Sequence, residues 1–420
     1  MPERLTITRL GVRGDGIAET AGWTVYVPFA LPGEVVTAEV AGERGRLLRV
    51  EEAGPGRREP ECPLFTRCGG CAMQHLAETH YRAWKRDGVL VALQRAGLDA
   101  PVADLVDAHG EGRRRVTFHA RRVDGETHIG FMAARSHALV PIEACPVLSP
   151  GLARAPAAAL ALARLLEGSG KPLDFQVTAT TAGLDLDIRG LGAVKDILRQ
   201  ALVTAAERLD LARLSLHGEV LVERRPPAIA MGRAVVVPPA GGFLQATAAG
   251  EDALAERVTA ACSKAKRIVD LFAGCGPFAL RLAERAEVHA VEGSPEALVA
   301  LDRAFRATPG LKRITTETRD LFRRPLLPPE LDRFDAVVFD PPRAGAEAQA
   351  RQIAASKVPL VVGVSCDVGT FTRDARLLVD AGMRLVEVVP VDQFRYSPHV
   401  EIVGIFRRPD SHARARGGRR

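Results

Sequence analysis

Three cysteines crowd into the stretch CPLFTRCGGC, as Cys62, Cys68 and Cys71, in a chain that holds 7 in all. Thiolates gathered at such spacing bind soft metals. Gly69 and Gly70 let the backbone turn tightly between the last two sulfurs and aim amides at them. A closed site needs one more soft donor. Cys145 supplies it in PIEACPVLS, where Pro146 follows, as a proline often follows a ligating cysteine of iron–sulfur proteins. Cys262 lies in an alanine-rich helical stretch and Cys275 in a glycine loop with another task. The reading is one metal centre on Cys62, Cys68, Cys71 and Cys145. A zinc ribbon usually shows a pair of C-x2-C knuckles and only one is present here, so iron–sulfur stands ahead of zinc. Unliganded buried thiols are the remaining alternative. A disulfide framework is not expected in an intracellular protein with an odd number of cysteines.

Cys366, in VVGVSCDVGTF, ends a strand-like run just ahead of a helix. A helix N-terminus favours thiolate, so a thiol pKa below the ordinary value is expected there. The plainer alternative is a buried structural cysteine. Glu401, in SPHVEI, opens the last strand-like run, where a solvated edge carboxylate is the alternative. Together the two residues solve one chemical problem. Carbon 5 of uracil is too poor a nucleophile to attack a methylsulfonium. A thiolate added to C6 turns C5 into an enolate carbon that can accept a methyl group. A base must then remove the C5 proton so that elimination frees the cysteine. Cys366 as nucleophile and Glu401 as base fill those roles. Cytosine-C5 enzymes share this logic but commonly carry a second cysteine near the place occupied here by DPPR, and none is present.

These residues need a scaffold. From residue 239 the chain alternates strand and helix: KRIVDLF, EVHAVE, KRITTE, FDAVVFD, VPLVVGVSC, MRLVEVVPV and finally VEIVGIF. Such alternation predicts a parallel doubly wound sheet. About ten residues separate the last two runs, too few for a helical crossover, so the final strand is expected to run antiparallel. The fold class is α/β, with a Rossmann-like seven-stranded domain over 239–410. VDLFAGCGPFAL is a glycine turn from strand into helix, where Gly274 and Gly276 permit a ligand to approach the backbone at the sheet's carboxyl edge. Glu292 closes the next strand and can accept hydrogen bonds from ribose hydroxyls, which suits S-adenosylmethionine or NAD. In DPPR, 340–343, two prolines make a rigid, donor-poor loop, and Arg343 stands where amine-methylating enzymes place an aromatic ring.

Residues 1–58 read as an all-β module, an open barrel of five short strands of the oligonucleotide-binding type. Residues 59–238 read as an α+β middle domain carrying the cysteine segment, with a hairpin turning at Asp124–Gly125. Residues 411–420 are Arg/Gly-rich and expected to be disordered. The net charge is +6, and basic residues cluster in RRRVTFHARR (113–122), near 224 and in the tail. Such clusters on one face attract phosphates. Aromatic residues are only 5%, so a base-stacking platform would rest on few rings. The start lacks an apolar signal region and no run approaches the roughly 18 apolar residues of a membrane span. A cytoplasmic protein without membrane contact or readable obligate protein partner is expected.

With those motifs in view, the chain resembles the bacterial RNA 5-methyluridine methyltransferases, and more closely the branch that carries a [4Fe–4S] cluster and methylates 23S rRNA. The resemblance spans nearly the whole chain: the N-terminal barrel of TRAM type, CPLFTRCGGCAMQH, Cys145, GGFLQAT, VDLFAGCGPF, DPPR, SC and HVE. It implies a [4Fe–4S] cluster on Cys62, Cys68, Cys71 and Cys145. It implies S-adenosylmethionine held by Gln245, Phe272, Glu292, Asp320 and Asp340, with Cys366 and Glu401 as nucleophile and base. It implies an RNA partner, 23S rRNA before ribosome assembly is complete. Methylation of a tRNA uridine and a non-catalytic iron–sulfur RNA-binding protein are the alternatives. Asp367-Val368 replaces the family's usual Asn-Pro after the cysteine, and Asp367 is expected to raise the thiol's pKa by its charge.

Overall fold

The computed structural model describes residues 2–20, 22–192 and 194–409. The tail 411–420 lies outside the described residues. The carboxyl-terminal half is built around an eight-stranded sheet. Its order is Ile314–Thr318, Glu287–Glu292, Arg267–Leu271, Ala336–Phe339, Leu360–Ser365, Glu401–Arg407, Arg384–Asp392 and Val106–Asp107. The central strands pair in parallel. Their apolar runs, AVVF and LVVGVS, are buried along their whole length because helices cover both faces. Glu401–Arg407 is antiparallel to both neighbours, as the short link before it requires.

Two features depart from the sequence reading. The sheet gains an eighth strand, Val106–Asp107, which pairs parallel to Arg384–Asp392. The helix Glu78–Arg95 buries Val89 and Leu93 in the same apolar cluster as Phe339, Phe371 and Phe406. Residues 78–107 therefore pack with this sheet, although their position in the chain grouped them with 59–238. Two paired residues carry no periodicity to read.

The middle region forms a seven-stranded sheet, ordered Leu139–Pro141, Glu126–Met132, Arg115–Val123, Leu173–Thr180, Gly183–Arg189, Arg213–Leu216 and Glu219–Glu223. Helices Ala155–Leu165 and Asp196–Arg208 pack on it through Leu162, Leu202 and Ala206. Val123 pairs with Glu126 across Asp124 and Gly125, at φ 52° and 86°, the tight hairpin expected there. The amino-terminal module is a sheet of six strands rather than five. Its first run splits into Pro2–Thr6, Arg9–Leu10 and Gly16–Glu19, breaking first at Ile7–Thr8 and then at the glycine-rich turn. Among the described residues, no helix is long and apolar enough to cross a membrane.

Candidate active site

Strand polarity delivers the chemistry to one place. Leu360–Ser365 runs out at the sheet's carboxyl edge, and Ser365 pairs with Ile402 of the antiparallel last strand. Cys366 and Glu401, one residue beyond that pair on either strand, emerge side by side. Phe339 pairs with Gly363, so Asp340 leaves the adjacent strand at the same edge. A cavity of about 750 Å³ opens there. Gln245, Phe272, Glu292, Asp320, Asp340, Cys366 and Glu401 all line it.

On one side of the cavity the glycine turn carries Phe272 at φ 60° and Gly276 at φ 89°. A Cβ on Gly276 would stand 2.3 Å from Leu301, so the turn closes this tightly only with glycine. The Glu292 carboxylate accepts N–H bonds from Gly274 at 3.0 Å, Gly293 at 2.7 Å and Ser294 at 2.9 Å, which fixes it at the strand end. Two carboxylate oxygens have capacity left for a ribose hydroxyl. Phe272 and Phe322 sit with ring centroids 5.5 Å apart, and Asp320 accepts from the Phe322 amide at 3.0 Å.

On the other side a chain of amides joins the half-buried Asp340 carboxylate to the buried Glu401 carboxylate. The Gln245 Nε2 donates to Asp340 at 2.9 Å, and Gln393 Nε2 donates both to Gln245 Oε1 at 2.6 Å and to Glu401 Oε1 at 2.9 Å. Glu401 Oε2 is buried without a hydrogen-bond partner. A buried acceptor left unpaired is costly, so it marks a place for an incoming donor. Burial, then the Asp340 charge, push the Glu401 carboxyl up to about 8, against the bond from Gln393. Burial likewise raises Asp340 to about 7.

The Cys366 thiol is also raised, to about 11, by burial first and then by the charges of Glu401 and Asp340, while Arg343 pulls it down. This corrects the sequence expectation of a depressed thiol pKa: burial first, reinforced by two carboxylates from other strands, outweighs the helix terminus. The departure at Asp367 is explained as well. Asp367 caps the helix Val368–Asp380, accepting the Thr370 N–H at 2.9 Å, a task that asparagine performs equally.

The four cysteines of the expected metal centre come together. Cys71 feels the charges of Cys145, Cys68 and Cys62, and burial above all pushes its thiol up to about 12. All four are free thiols. Gly70 N–H points at Cys68 Sγ at 3.4 Å, and a Cβ on Gly69 would stand 2.8 Å from the Met132 carbonyl, so the glycine pair seats this turn against the strand Glu126–Met132. Among the described residues, no three His, Cys, Asp or Glu side chains are spaced around a single ion. Four cysteine thiolates are a donor set that both zinc and an iron–sulfur cluster accept.

No family model matches the chain. An RNA methyltransferase from Agrobacterium fabrum is 47% identical, covering 96% of this chain and 99% of that protein. The 23S rRNA (uracil(1939)-C(5))-methyltransferase of Halomonas elongata is 35% identical, covering 98% of this chain and 91% of that one. The chain belongs to this RNA methyltransferase family. Its fold matches that of the Pyrococcus abyssi tRNA (uracil-54, C5)-methyltransferase in complex with S-adenosyl-L-homocysteine, with a TM-score of 0.73, 21% identity and coverage of 96% and 99% of the two chains.

In this RNA methyltransferase several site residues carry no signal in the sequence. Gln393 is one: a lone glutamine gains meaning only from its partners Gln245, Glu401 and the Thr247 N–H. Arg113 and Arg115 are others. They line the cavity, and Arg115 lies over Phe243 at 5.1 Å. Arg114 is buried and bonded to Glu251 at 2.6 Å. The run RRRVTFHARR is therefore not a continuous exposed phosphate face. Its first three arginines turn inward to the methyltransferase half. Near 224, Arg224 and Arg225 are both held by Asp210.

Proposed function

We propose that this RNA methyltransferase transfers a methyl group from S-adenosylmethionine to carbon 5 of a uridine in 23S rRNA. The observation that carries the reading is the pairing, in one cavity, of the Cys366 thiol with the unpartnered Glu401 Oε2. The residues around the glycine turn suit the cofactor: Glu292 for ribose hydroxyls, Phe272 and Asp320 for the adenine side, and Gln245 and Asp340 toward the reacting end. Bound there, S-adenosylmethionine supplies an electrophilic methyl group on a sulfonium.

The chain's own residues do the rest. The target uridine is flipped out of its stack so that its ring reaches the thiol. The Cys366 thiol releases its proton to solvent, the resulting thiolate forms a bond to C6, and the electron pair of the C5–C6 double bond moves toward O4. C5 then carries the nucleophilic density that takes the methyl group. Glu401 Oε2 accepts the C5 proton, the double bond re-forms, and the C6–sulfur bond breaks. Gln393 holds Oε1 and leaves Oε2 free for that transfer. Arg343 is the cation acting on both the thiol and Glu401, and it favours their ionised forms.

We place a [4Fe–4S] cluster on Cys62, Cys68, Cys71 and Cys145, where it would tie the cysteine segment to the loop of Cys145. The barrel and middle sheet would hold RNA chiefly through phosphate contacts, in the cytoplasm. The test is methyl transfer to purified 23S rRNA and tRNA side by side, with the product nucleoside identified. The expected result is 5-methyluridine in 23S rRNA. Methylation confined to tRNA would move the substrate, and a product other than 5-methyluridine would overturn the reaction.

A further inference from the structure

The loop between Arg384–Asp392 and Glu401–Arg407 carries Gln393 and Phe394 into the cavity and leads directly into Glu401. It is held largely from outside its own sheet. Tyr396, near its middle, is 3% exposed and sits at φ 64°, a conformation that a non-glycine residue keeps only where its surroundings over-determine it. Those surroundings are the two ends of the cysteine segment. The Tyr396 carbonyl accepts the Ala72 N–H at 2.7 Å and the Met73 N–H at 3.0 Å, just after Cys71. The Tyr396 hydroxyl donates to Glu61 at 2.8 Å, just before Cys62, and accepts from Arg58 at 2.9 Å. Its own amide donates to the Tyr81 hydroxyl at 2.9 Å.

A second tie runs through Arg113. Its backbone N–H donates to the Val147 carbonyl at 2.9 Å, two residues after Cys145, and its guanidinium lies over the Phe394 ring at 5.9 Å. A cation over an aromatic face is attractive, more so when both are withdrawn from water. The cysteines and the loop before Glu401 are thus joined at three places: Ala72–Met73, Glu61–Arg58 and Arg113.

We propose that the cysteine segment 62–76 and the loop 393–400 form one mechanical unit, with Tyr396 as the positioning residue, so that whatever the four cysteines hold sets the placement of Glu401. The consequence for catalysis rests on Glu401 acting as the base. The physical reason is leverage. A displacement of about 1 Å in a reacting group costs on the order of a hundredfold in rate.

The test is hydrogen exchange on the full-length protein without RNA, comparing wild type, Cys71→Ser and Tyr396→Phe. In Cys71→Ser, amides of both 62–76 and 393–400 should exchange roughly tenfold faster or more, while Arg267–Leu271 and Ala336–Phe339 keep their protection. Loosening confined to 62–76, or no change in either segment, overturns the proposal. Should Cys71→Ser loosen the whole protein, Tyr396→Phe decides, since it removes only the hydroxyl. It should speed exchange across 393–400 and lower kcat about tenfold with the KM for S-adenosylmethionine unchanged. Protection and kcat both at the wild-type level overturn it. If wild type makes no 5-methyluridine, the reading of Glu401 fails, and the exchange comparison still decides whether the two segments are coupled.

Discussion

At the scale of single residues, the site is defined by ionisable groups whose pKa values burial raises. Glu401 is raised from the usual 4.5 to about 8, and Asp340 from 3.8 to about 7. Over that range the folded protein retains protons that the unfolded chain gives up. The stability these groups contribute is therefore complete below 3.8, the lower of the two ordinary values, and is lost as the pH climbs toward about 8. Thermal melts of the free protein should show the melting temperature falling across this window. Glu401→Gln should flatten the fall, and an unchanged slope would show that Glu401 ionises normally. The same variant tests the base. Without it, the C5 proton stays and the cysteine cannot be eliminated. Glu401→Gln should lower kcat by about 10²–10⁴ and let protein–RNA adduct accumulate on ordinary uridine RNA, visible as a retarded band in a denaturing gel. A slow variant with no adduct would assign Glu401 to another step.

At the scale of elements, the reactive thiol is aimed by a strand end and a helix start. Asp367 closes the first turn of Val368–Asp380. Asp367→Ala should destabilise the protein by about 1 kcal/mol in urea unfolding, and Asp367→Asn should be close to neutral. Equal losses in both would mean that charge, rather than the cap, matters there. Much at this scale was legible in the sequence. The apolar runs IVDL, AVVF and LVVGVS announced buried parallel strands, and the short link ahead of VEIVGIF announced the antiparallel one. The Asp124–Gly125 hairpin followed from its residue types. Val106–Asp107 was not legible, because two residues show no period and their pairing is decided by the helix Glu78–Arg95 docking on the far half of the chain.

At the scale of the whole molecule, residues distant in sequence are brought to one cavity by strand order, and this limits what a sequence can disclose. Cys366 and Asp340 follow strand ends, Glu292 closes a strand and Glu401 opens one, all at the same edge, so their convergence could be read from topology. The elevated Cys366 thiol could not. Its causes are burial first and then the company of Glu401 and Asp340, neither of which the local string SCDVGTF contains. The inward turn of Arg113, Arg114 and Arg115 was equally hidden, since their partners Phe394, Glu251 and Phe243 come from the other half of the chain. The account as a whole stands on a covalent bond between Cys366 and the pyrimidine. The most direct measurement is incubation of the protein with 5-fluorouridine-containing 23S rRNA and S-adenosylmethionine, followed by denaturing electrophoresis and mass mapping. The account predicts a stable protein–RNA adduct at Cys366, absent in Cys366→Ala, which should also fail to methylate ordinary RNA. Methyl transfer by Cys366→Ala at the wild-type rate would contradict it.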